Sequence, residues 1–231
     1  MTKTPHIPLA VVLLSGGMDS TVCMAIAGQH YRLAALHVKY GQRTQDRELQ
    51  SFHAVADHYN AEHRLVVDIS HLAAIGGSCL TDKAIEVPRA NLNATDIPVS
   101  YVPFRNANIL AIATSWAEVL GASALFIGAV QDDSSGYPDC REEFFAAFQQ
   151  VINTGTKPET QCHIHTPLLH DTKQMIVEKG IALGVPFEKT WSCYQGSDAA
   201  CGVCDSCALR LRGFARAGAA DPLPYTYRPE Y

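Results

Sequence analysis

The sequence predicts an α/β fold, a doubly wound parallel sheet followed by a small metal-binding subdomain. Short apolar, β-rich segments alternate with segments of helical periodicity along most of its 231 residues. Strands joined by crossover helices form parallel sheets with right-handed connections. A glycine-rich turn separates the first strand from the first helix, and four of the eight cysteines crowd into positions 193 to 207. We therefore expect an α/β domain at 1–190 and a metal-binding segment at 191–231.

The first half of the chain shows the alternation most clearly. Residues 9–14 form a continuous apolar run, which suits a strand buried on both faces. A helix from 19 to about 30 follows, and a β-rich second strand is predicted at 32–38. Apolar residues at helical spacing then predict a helix from 43 to about 59, and 64–69 has the composition of a third strand.

The second half contains one long stretch without a clear period. Residues 76–100 are rich in Gly, Pro, Asn and Thr, which predicts a functional loop or lid. The Ala-rich segment 106–120 predicts a helix that Asn106 can cap and Gly121 can end. Further strands are predicted at 124–129 and 163–165, and further helices at 142–152 and 172–183, so that the cysteine cluster follows the last helix.

Composition and charge exclude several classes of protein. The chain has 18 Lys and Arg against 23 Asp and Glu, a net charge of −5, and such an acidic chain is poorly suited to sequence-independent binding of nucleic acid. It has no apolar run of the roughly 20 residues that a membrane span needs. Its N-terminal residues lack the pattern of a signal peptide. We expect a cytoplasmic protein that neither spans a membrane nor binds nucleic acid directly.

The turn Ser15-Gly16-Gly17-Met18-Asp19-Ser20 joins the first predicted strand to the first predicted helix. Two glycines let the backbone turn sharply and approach a ligand, and the start of a helix favours an anion. The string matches neither the Walker A motif nor the dinucleotide-binding fingerprint. From the residues alone, a phosphate-binding loop and a simple strand–helix turn are equally good interpretations.

Cys193, Cys201, Cys204 and Cys207 form the strongest metal signal in the chain. Four thiolates match tetrahedral Zn²⁺ with no open position, the type of site that has a structural role. A reversible disulfide and an iron–sulfur cluster are the competing interpretations. Ligand type and the expected reducing compartment favour one structural zinc per chain, in a C-terminal zinc-binding segment at 191–231.

Two cationic residues and one loop allow a functional and a structural interpretation. Arg105 and Lys173 precede or open helices, where each is either a surface charge or a phosphate ligand. The segment 134–141 follows the fourth strand and is either a polar turn or a base-recognition loop. In the second case Tyr137 would stack on a ring, and Asp139 would accept hydrogen bonds from a guanine-like edge.

Together these motifs resemble one family. The glycine loop resembles the pyrophosphate loop of the N-type ATP pyrophosphatases, which have an adenine nucleotide alpha hydrolase-like, Rossmann-like fold. The strings Tyr-Gly-Gln-Arg at 40–43, Val-Pro-Phe-Arg-Asn at 102–106 and Ser-Gly-Tyr-Pro-Asp-Cys-Arg at 135–141 occur with the cysteine quartet in the order found in 7-cyano-7-deazaguanine synthases. This resemblance extends from about residue 11 to residue 214, and only 78–100 matches loosely.

The resemblance implies an ATP-dependent ligase of queuosine biosynthesis, which converts 7-carboxy-7-deazaguanine and ammonia to 7-cyano-7-deazaguanine through adenylated carboxylate and amide intermediates. It implies catalytic roles for Asp19, Arg105 and Lys173, with Mg²⁺ near Asp19. Members of the family are often homodimers. Substrate would be bound by Arg105, Asn106, Tyr137 and Asp139, and ATP by Leu14, Ser15, Gly16, Gly17, Met18, Asp19, Ser20 and Thr21.

Three other functions compete with this one. A tRNA-thiolating enzyme of the same superfamily would need a basic RNA-binding surface, which the net charge of −5 disfavours. An amide-forming synthetase would stop at the amide and often has an additional domain. A catalytically inactive nucleotide-binding or zinc-interaction module is disfavoured by the intact loop that contains Asp19. Products formed from ATP, ammonia and 7-carboxy-7-deazaguanine would distinguish the four.

Overall fold

A computed structural model describes residues 7–94, 96–131 and 136–231. Its centre is a five-stranded sheet in the order β3-β2-β1-β4-β5, in which every neighbouring pair is parallel. This confirms the predicted doubly wound α/β fold. The strands are β1 (Leu9–Leu13), β2 (Arg32–Lys39), β3 (His63–Asp68), β4 (Ala124–Ile127) and β5 (His163–His165).

Helices connect the successive strands, two more follow the last strand, and together they cover both faces of the sheet. They are α1 (Met18–Ala27), α2 (Gln45–His58), α3 (His71–Ile75), α4 (Arg105–Leu120), α5 (Glu142–Gly155), α6 (Lys173–Ala182) and α7 (Asp205–Arg216). The five long helices predicted before the cysteine cluster are confirmed to within a few residues. The short helix α3 was not predicted. The described part of 76–100 contains no regular element, as expected.

The strand β1 lies at the centre because its side chains are buried on both faces. Leu9, Val11 and Leu13 pack into one apolar cluster, and Ala10 and Val12 pack into a second one on the other face. The chain leaves β1 toward β2 and β3 on one side and later returns to add β4 and β5 on the other. In open α/β sheets, ligands bind beyond the carboxyl ends of the strands at such a reversal.

The prediction that Asn106 caps helix α4 is wrong. Asn106 lies inside the helix, and its backbone N–H donates to Asp139 Oδ2 at 2.9 Å. The residue at the N-cap position is Phe104, which has a left-handed backbone with φ of 57°. A backbone N–H in the first turn of α4 therefore donates to a carboxylate that is distant in sequence. No local sequence pattern could have shown this contact.

The prediction that the cysteine cluster follows the last helix is also wrong. Helix α7 begins directly after Cys204 and contains Cys207. It packs against α6, and Phe214 joins the apolar cluster around α1. The tail beyond α7 is extended, and it docks on the cysteine cluster through a bridge between Ala200 and Tyr225. No helix in the described ranges has the length and apolar character to cross a membrane.

Candidate functional site

A cleft of about 290 Å³ opens beyond the carboxyl ends of β1, β2 and β4. This volume is near the lower end of small-molecule sites. The glycine loop forms one wall, and residues that are distant in sequence form the others. The residues that line the cleft include six with polar or charged side chains, Asp19, Glu48, Arg105, Tyr137, Lys173 and Arg210.

The glycine loop is shaped by its own hydrogen bonds. Ser15 Oγ accepts from the backbone N–H of Gly17 at 3.2 Å and lies 3.0 Å from Ser20 Oγ. Gly16 has φ of +86°, and a Cβ there would lie 2.8 Å from backbone atoms of Glu48 and Phe52. Only glycine fits such a position without strain or displacement. The loop therefore packs tightly on α2 while residues 17–20 line the cleft.

Asp19 and Lys173 meet at the mouth of the loop. Lys173 Nζ donates to Asp19 Oδ2 at 2.7 Å, although the two residues are 154 positions apart. The lysine side chain is only 8% exposed, so its charge needs this partner. The second carboxylate oxygen, Asp19 Oδ1, is buried and has no hydrogen-bond partner among the described residues. The structure thus brings together two of the three residues predicted to be catalytic.

Arg105, the third of these residues, lies across the cleft at the start of α4. Its Nη1 donates to Tyr40 Oη at 3.2 Å, and its guanidinium carbon lies 5.2 Å from the centre of the Tyr40 ring and 5.9 Å from that of Tyr137. Arg105 Nε is buried without a hydrogen-bond partner in the described ranges. The Tyr40 and Tyr137 rings thus hold the Arg105 guanidinium in the cleft. Because its Nε–H has no acceptor among the described residues, the guanidinium can still bind an anionic ligand.

The loop predicted to recognise a base is only partly described, since Ser134 and Ser135 lie outside the described residues. Tyr137 lines the cleft, and its hydroxyl donates to Ser100 Oγ at 3.0 Å. Asp139 lies beside the cleft rather than in its wall, because its Oδ2 accepts from the backbone of Asn106. Its Oδ1 is buried without a partner among the residues described. Burial is the main reason that the pKa of Asp139 is raised.

Sequence reasoning missed Glu48, which lines the cleft from α2. Its two carboxylate oxygens accept hydrogen bonds from Gln42 Nε2 at 2.9 Å and Thr44 Oγ1 at 2.8 Å. Burial raises the pKa of Glu48 above its ordinary value. The only sequence signal was its position a few residues beyond the Tyr-Gly-Gln-Arg string, because a glutamate on a helix usually faces solvent.

A second missed group braces the glycine loop from the C-terminal segment. Arg210 is 1% exposed and forms a two-pronged pair with Asp221, Nε to Oδ2 at 2.7 Å and Nη2 to Oδ1 at 2.9 Å. Its Nη1 also donates to Thr190 Oγ1 at 2.6 Å and, at 3.5 Å, reaches Ser192 Oγ. The Ser192 hydroxyl in turn lies 3.5 Å from the backbone N–H of Met18, at the start of α1.

The four clustered cysteines fit a metal ion. Their sulfur atoms all lie within 4.8 Å of one another, and Cys201 Sγ is 3.9 Å from Cys207 Sγ. Tetrahedral zinc with Zn–S bonds of about 2.3 Å needs sulfur atoms roughly 3.8 Å apart. The backbone N–H groups of Gly196 and Cys201 each donate to Cys193 Sγ at 3.2 Å, as is usual around thiolate ligands. The predicted quartet is thus assembled in space, and all eight cysteines are free of disulfides.

Comparison with known proteins yields a family and close relatives. The model of a family described as "Queuosine biosynthesis protein QueC" matches residues 9–218. Proteins named 7-cyano-7-deazaguanine synthase from Chlorobaculum parvum and Chloroherpeton thalassium are each 58% identical over 223 residues, covering 96% of this chain and 98% and 99% of theirs. The solved NMN synthetase of Francisella tularensis is 18% identical with a TM-score of 0.44, over 79% of this chain and 63% of that one.

Proposed function

Since the chain belongs to the queuosine biosynthesis protein QueC family and is a 7-cyano-7-deazaguanine synthase, we propose how its cleft performs that synthesis. The substrates are 7-carboxy-7-deazaguanine, ammonia and ATP, and the products include AMP and pyrophosphate. The observation that carries this proposal is the meeting of the glycine loop, the Lys173–Asp19 pair and Arg105 in one cleft.

ATP binds along the glycine loop in this proposal. Residues 14–21 supply the loop and the first turn of α1, whose N-terminus favours phosphate. Lys173 is positioned to neutralise phosphate charge that develops as pyrophosphate leaves. Asp19 Oδ1 is a buried oxygen with no partner in the described part of the chain, and this suits a Mg²⁺ ion, which prefers carboxylate and phosphate oxygens.

The deazaguanine binds opposite, between Arg105 and Tyr137. The Arg105 guanidinium would pair with the carboxylate of the substrate, and the Tyr137 ring would stack on its bicyclic ring. Asn106 lines the same wall. Asp139 stays a proposed contact for the base because its Oδ1 is buried and unpaired among the described residues. Asp139 also holds the start of α4, so it contributes to the placement of Arg105 and Asn106.

The chemistry needs no covalent enzyme intermediate. The substrate carboxylate attacks the α-phosphorus of ATP, so that its oxygen becomes part of a good leaving group, and ammonia displaces AMP to give the amide. A second ATP activates the amide oxygen, and loss of AMP leaves the nitrile. The residues of the cleft position these groups and stabilise phosphate charge, which is how proteins catalyse phosphoryl transfer in general.

The C-terminal cysteines hold zinc in this proposal, as Cys193, Cys201, Cys204 and Cys207 match its ligand chemistry. With four protein ligands the zinc has no open coordination position, so we assign it a structural role. We propose that the zinc-binding segment spans residues 191–231. We further propose a homodimer in the cytoplasm, a reducing compartment that suits eight cysteines of which none forms a disulfide. Because the chain belongs to the QueC family, we no longer propose the competing tRNA-thiolating and amide-forming activities for it.

Mass spectrometry of the products tests the proposed reaction. The purified chain, incubated with ATP, ammonia and 7-carboxy-7-deazaguanine, should form the amide and then the nitrile, together with AMP and pyrophosphate. Omission of ammonia should leave both nitrogen products absent. Pyrophosphate release without either nitrogen product, or no reaction at all, would contradict the proposal.

The division of the cleft has its own test, Asp139→Asn followed by calorimetric titration with each ligand. An unpaired buried edge costs about 1–3 kcal/mol, so deazaguanine binding should weaken by roughly tenfold while ATP binding changes little. The matched variant Asp198→Asn changes an acidic side chain on the cysteine-bearing segment and should alter neither affinity. Loss of ATP binding with intact deazaguanine binding would assign the loop to the nucleotide half of the site.

A further inference from the structure

The last step of nitrile formation removes a proton from nitrogen, so the cleft needs a group that accepts it. This requirement rests on the proposed function. The structure offers few candidates, because Asp19 is paired with Lys173 through a 2.7 Å contact. Burial raises the pKa of the Tyr40 hydroxyl to about 12 and that of the Cys140 thiol to about 11, so both groups keep their protons near neutral pH.

Glu48 differs from these groups in its contacts. Its hydrogen bonds come only from the neutral donors Gln42 and Thr44, and no cation lies within ion-pair distance of it in the described ranges. Gln42 is itself fixed, since its Oε1 accepts from the backbone N–H of Tyr40 at 2.9 Å. Each Glu48 oxygen therefore has further acceptor capacity, and the carboxylate is held in the wall of the cleft.

We propose that the Glu48 carboxylate is the general base that takes the proton from nitrogen as the nitrile forms. In that step the neutral O-adenylated imidate breaks its N–H bond, and the electron pair of this bond becomes the third carbon–nitrogen bond. The carbon–oxygen bond breaks with its electron pair on the oxygen of AMP. The proton goes to a Glu48 oxygen and afterwards to water, so atoms and charges balance.

The surroundings of Glu48 suit this role. Its charged form is stabilised by the two hydrogen bonds and by the positive charge of Arg105 on α4, while burial opposes it and raises the pKa. Among the described residues, the Tyr40 hydroxyl, which follows β2, also interacts electrostatically with Glu48, and across the cleft Asp19 forms an ion pair with Lys173. A base whose pKa is raised toward neutral pH transfers protons efficiently in both directions.

The first experiment follows conversion of the amide to the nitrile in Glu48→Gln, with the amide and ATP supplied directly. Loss of a general base lowers the rate by about 10²–10⁴, so the amide should persist while ATP binding, measured by calorimetry, is retained. Glu178→Gln is the matched control, since Glu178 lies on the exposed face of α6 and bonds only Gln174 among the described contacts. Its rates should equal those of the parent.

The second experiment uses Thr44→Val, which keeps the carboxylate but removes one hydrogen bond to its charged form. The pKa of Glu48 should rise, so the acid limb of the kcat profile should move to higher pH, and it should be absent in Glu48→Gln. Zinc content and circular dichroism of both variants confirm that the fold is retained, which matters because Thr44 Oγ1 also lies 3.3 Å from the carbonyl oxygen of Cys193.

Three outcomes would overturn the proposal. These are a nitrile-forming rate in Glu48→Gln within about threefold of the parent, a change in KM alone with kcat unaltered, and an acid limb that stays in place in Thr44→Val. Failure of the proposed function would look different. In that case the parent itself would make no nitrile from the amide and ATP, whatever residue stands at position 48.

Discussion

Substitution of Gly16 by alanine should destabilise the fold and abolish ATP binding together. The residue has φ of +86°, a conformation that costs an alanine about 1–2 kcal/mol. The new Cβ would also lie 2.8 Å from a carbonyl oxygen, an amide nitrogen and a side-chain carbon of α2, and such overpacking costs about 1–3 kcal/mol. The sum is about 2–5 kcal/mol. Relief of the overlap must move the loop away from α2, which displaces the proposed phosphate-binding backbone.

Urea denaturation and calorimetry measure the two effects, with two other glycines as controls. Gly121→Ala has the strain without the overlap, because φ is +65° and nothing lies within 4 Å, so it should lose about 1–2 kcal/mol and retain ATP binding. Gly17 has φ of −78°, and its Cβ would meet the movable Ser15 hydroxyl at 3.2 Å and the carbonyl oxygen of Trp191 at an ordinary contact distance of 3.5 Å, so Gly17→Ala should leave stability almost unchanged. A Gly16→Ala protein as stable as Gly121→Ala would refute the argument from overlap.

Three further predictions concern charge, metal and pH. Asp19→Asn should lower pyrophosphate release by about 10²–10³ without unfolding the chain, and a rate within about threefold of the parent would remove Asp19 from the reaction. Cys204→Ser should lower zinc content and melting temperature together, because metal binding is linked to folding; unchanged melting with lost activity would indicate a redox or catalytic quartet. Burial lowers the pKa of His37 to about 4 in the folded state, so the unfolded chain takes up the proton first as pH falls below 6.5. Stability should therefore drop by about 3 kcal/mol between pH 6.5 and 4 in urea titrations, and His37→Leu should lose most of that slope.

The parts of the fold that the sequence predicted are those that leave a local pattern. The buried strand β1 is a continuous apolar run, and the glycine loop and the cysteine quartet are short strings with fixed spacing. Family resemblance added Arg105 and Lys173, and the structure places both in the cleft. The contacts of Arg105 with Tyr40 and of Lys173 with Asp19 are consistent with the roles proposed for these two residues.

The parts that the sequence did not predict depend on contacts between distant segments. Helix α7 was missed because Arg210 and Arg212 interrupt its apolar face, and only the structure shows that Asp221 neutralises the first of these. Glu48 resembles an ordinary surface charge on an amphipathic helix until the loop after β2 is seen to bond both its oxygens. The cap of α4 was assigned wrongly because Asp139 reaches it from 33 positions away.

The pair between Arg210 and Asp221 has a consequence for the order in which the protein is synthesised. All five strands have been synthesised once the ribosome has added residue 165. The Arg210 guanidinium that braces the glycine loop, however, has its carboxylate partner at residue 221. A nascent chain that ended before this carboxylate would complete the sheet but bury a charged guanidinium without its partner, which is strongly unfavourable. The cleft that starts with the first strand is thus finished only after residue 221 has been translated, and a product truncated before it is poorly suited to hold ATP.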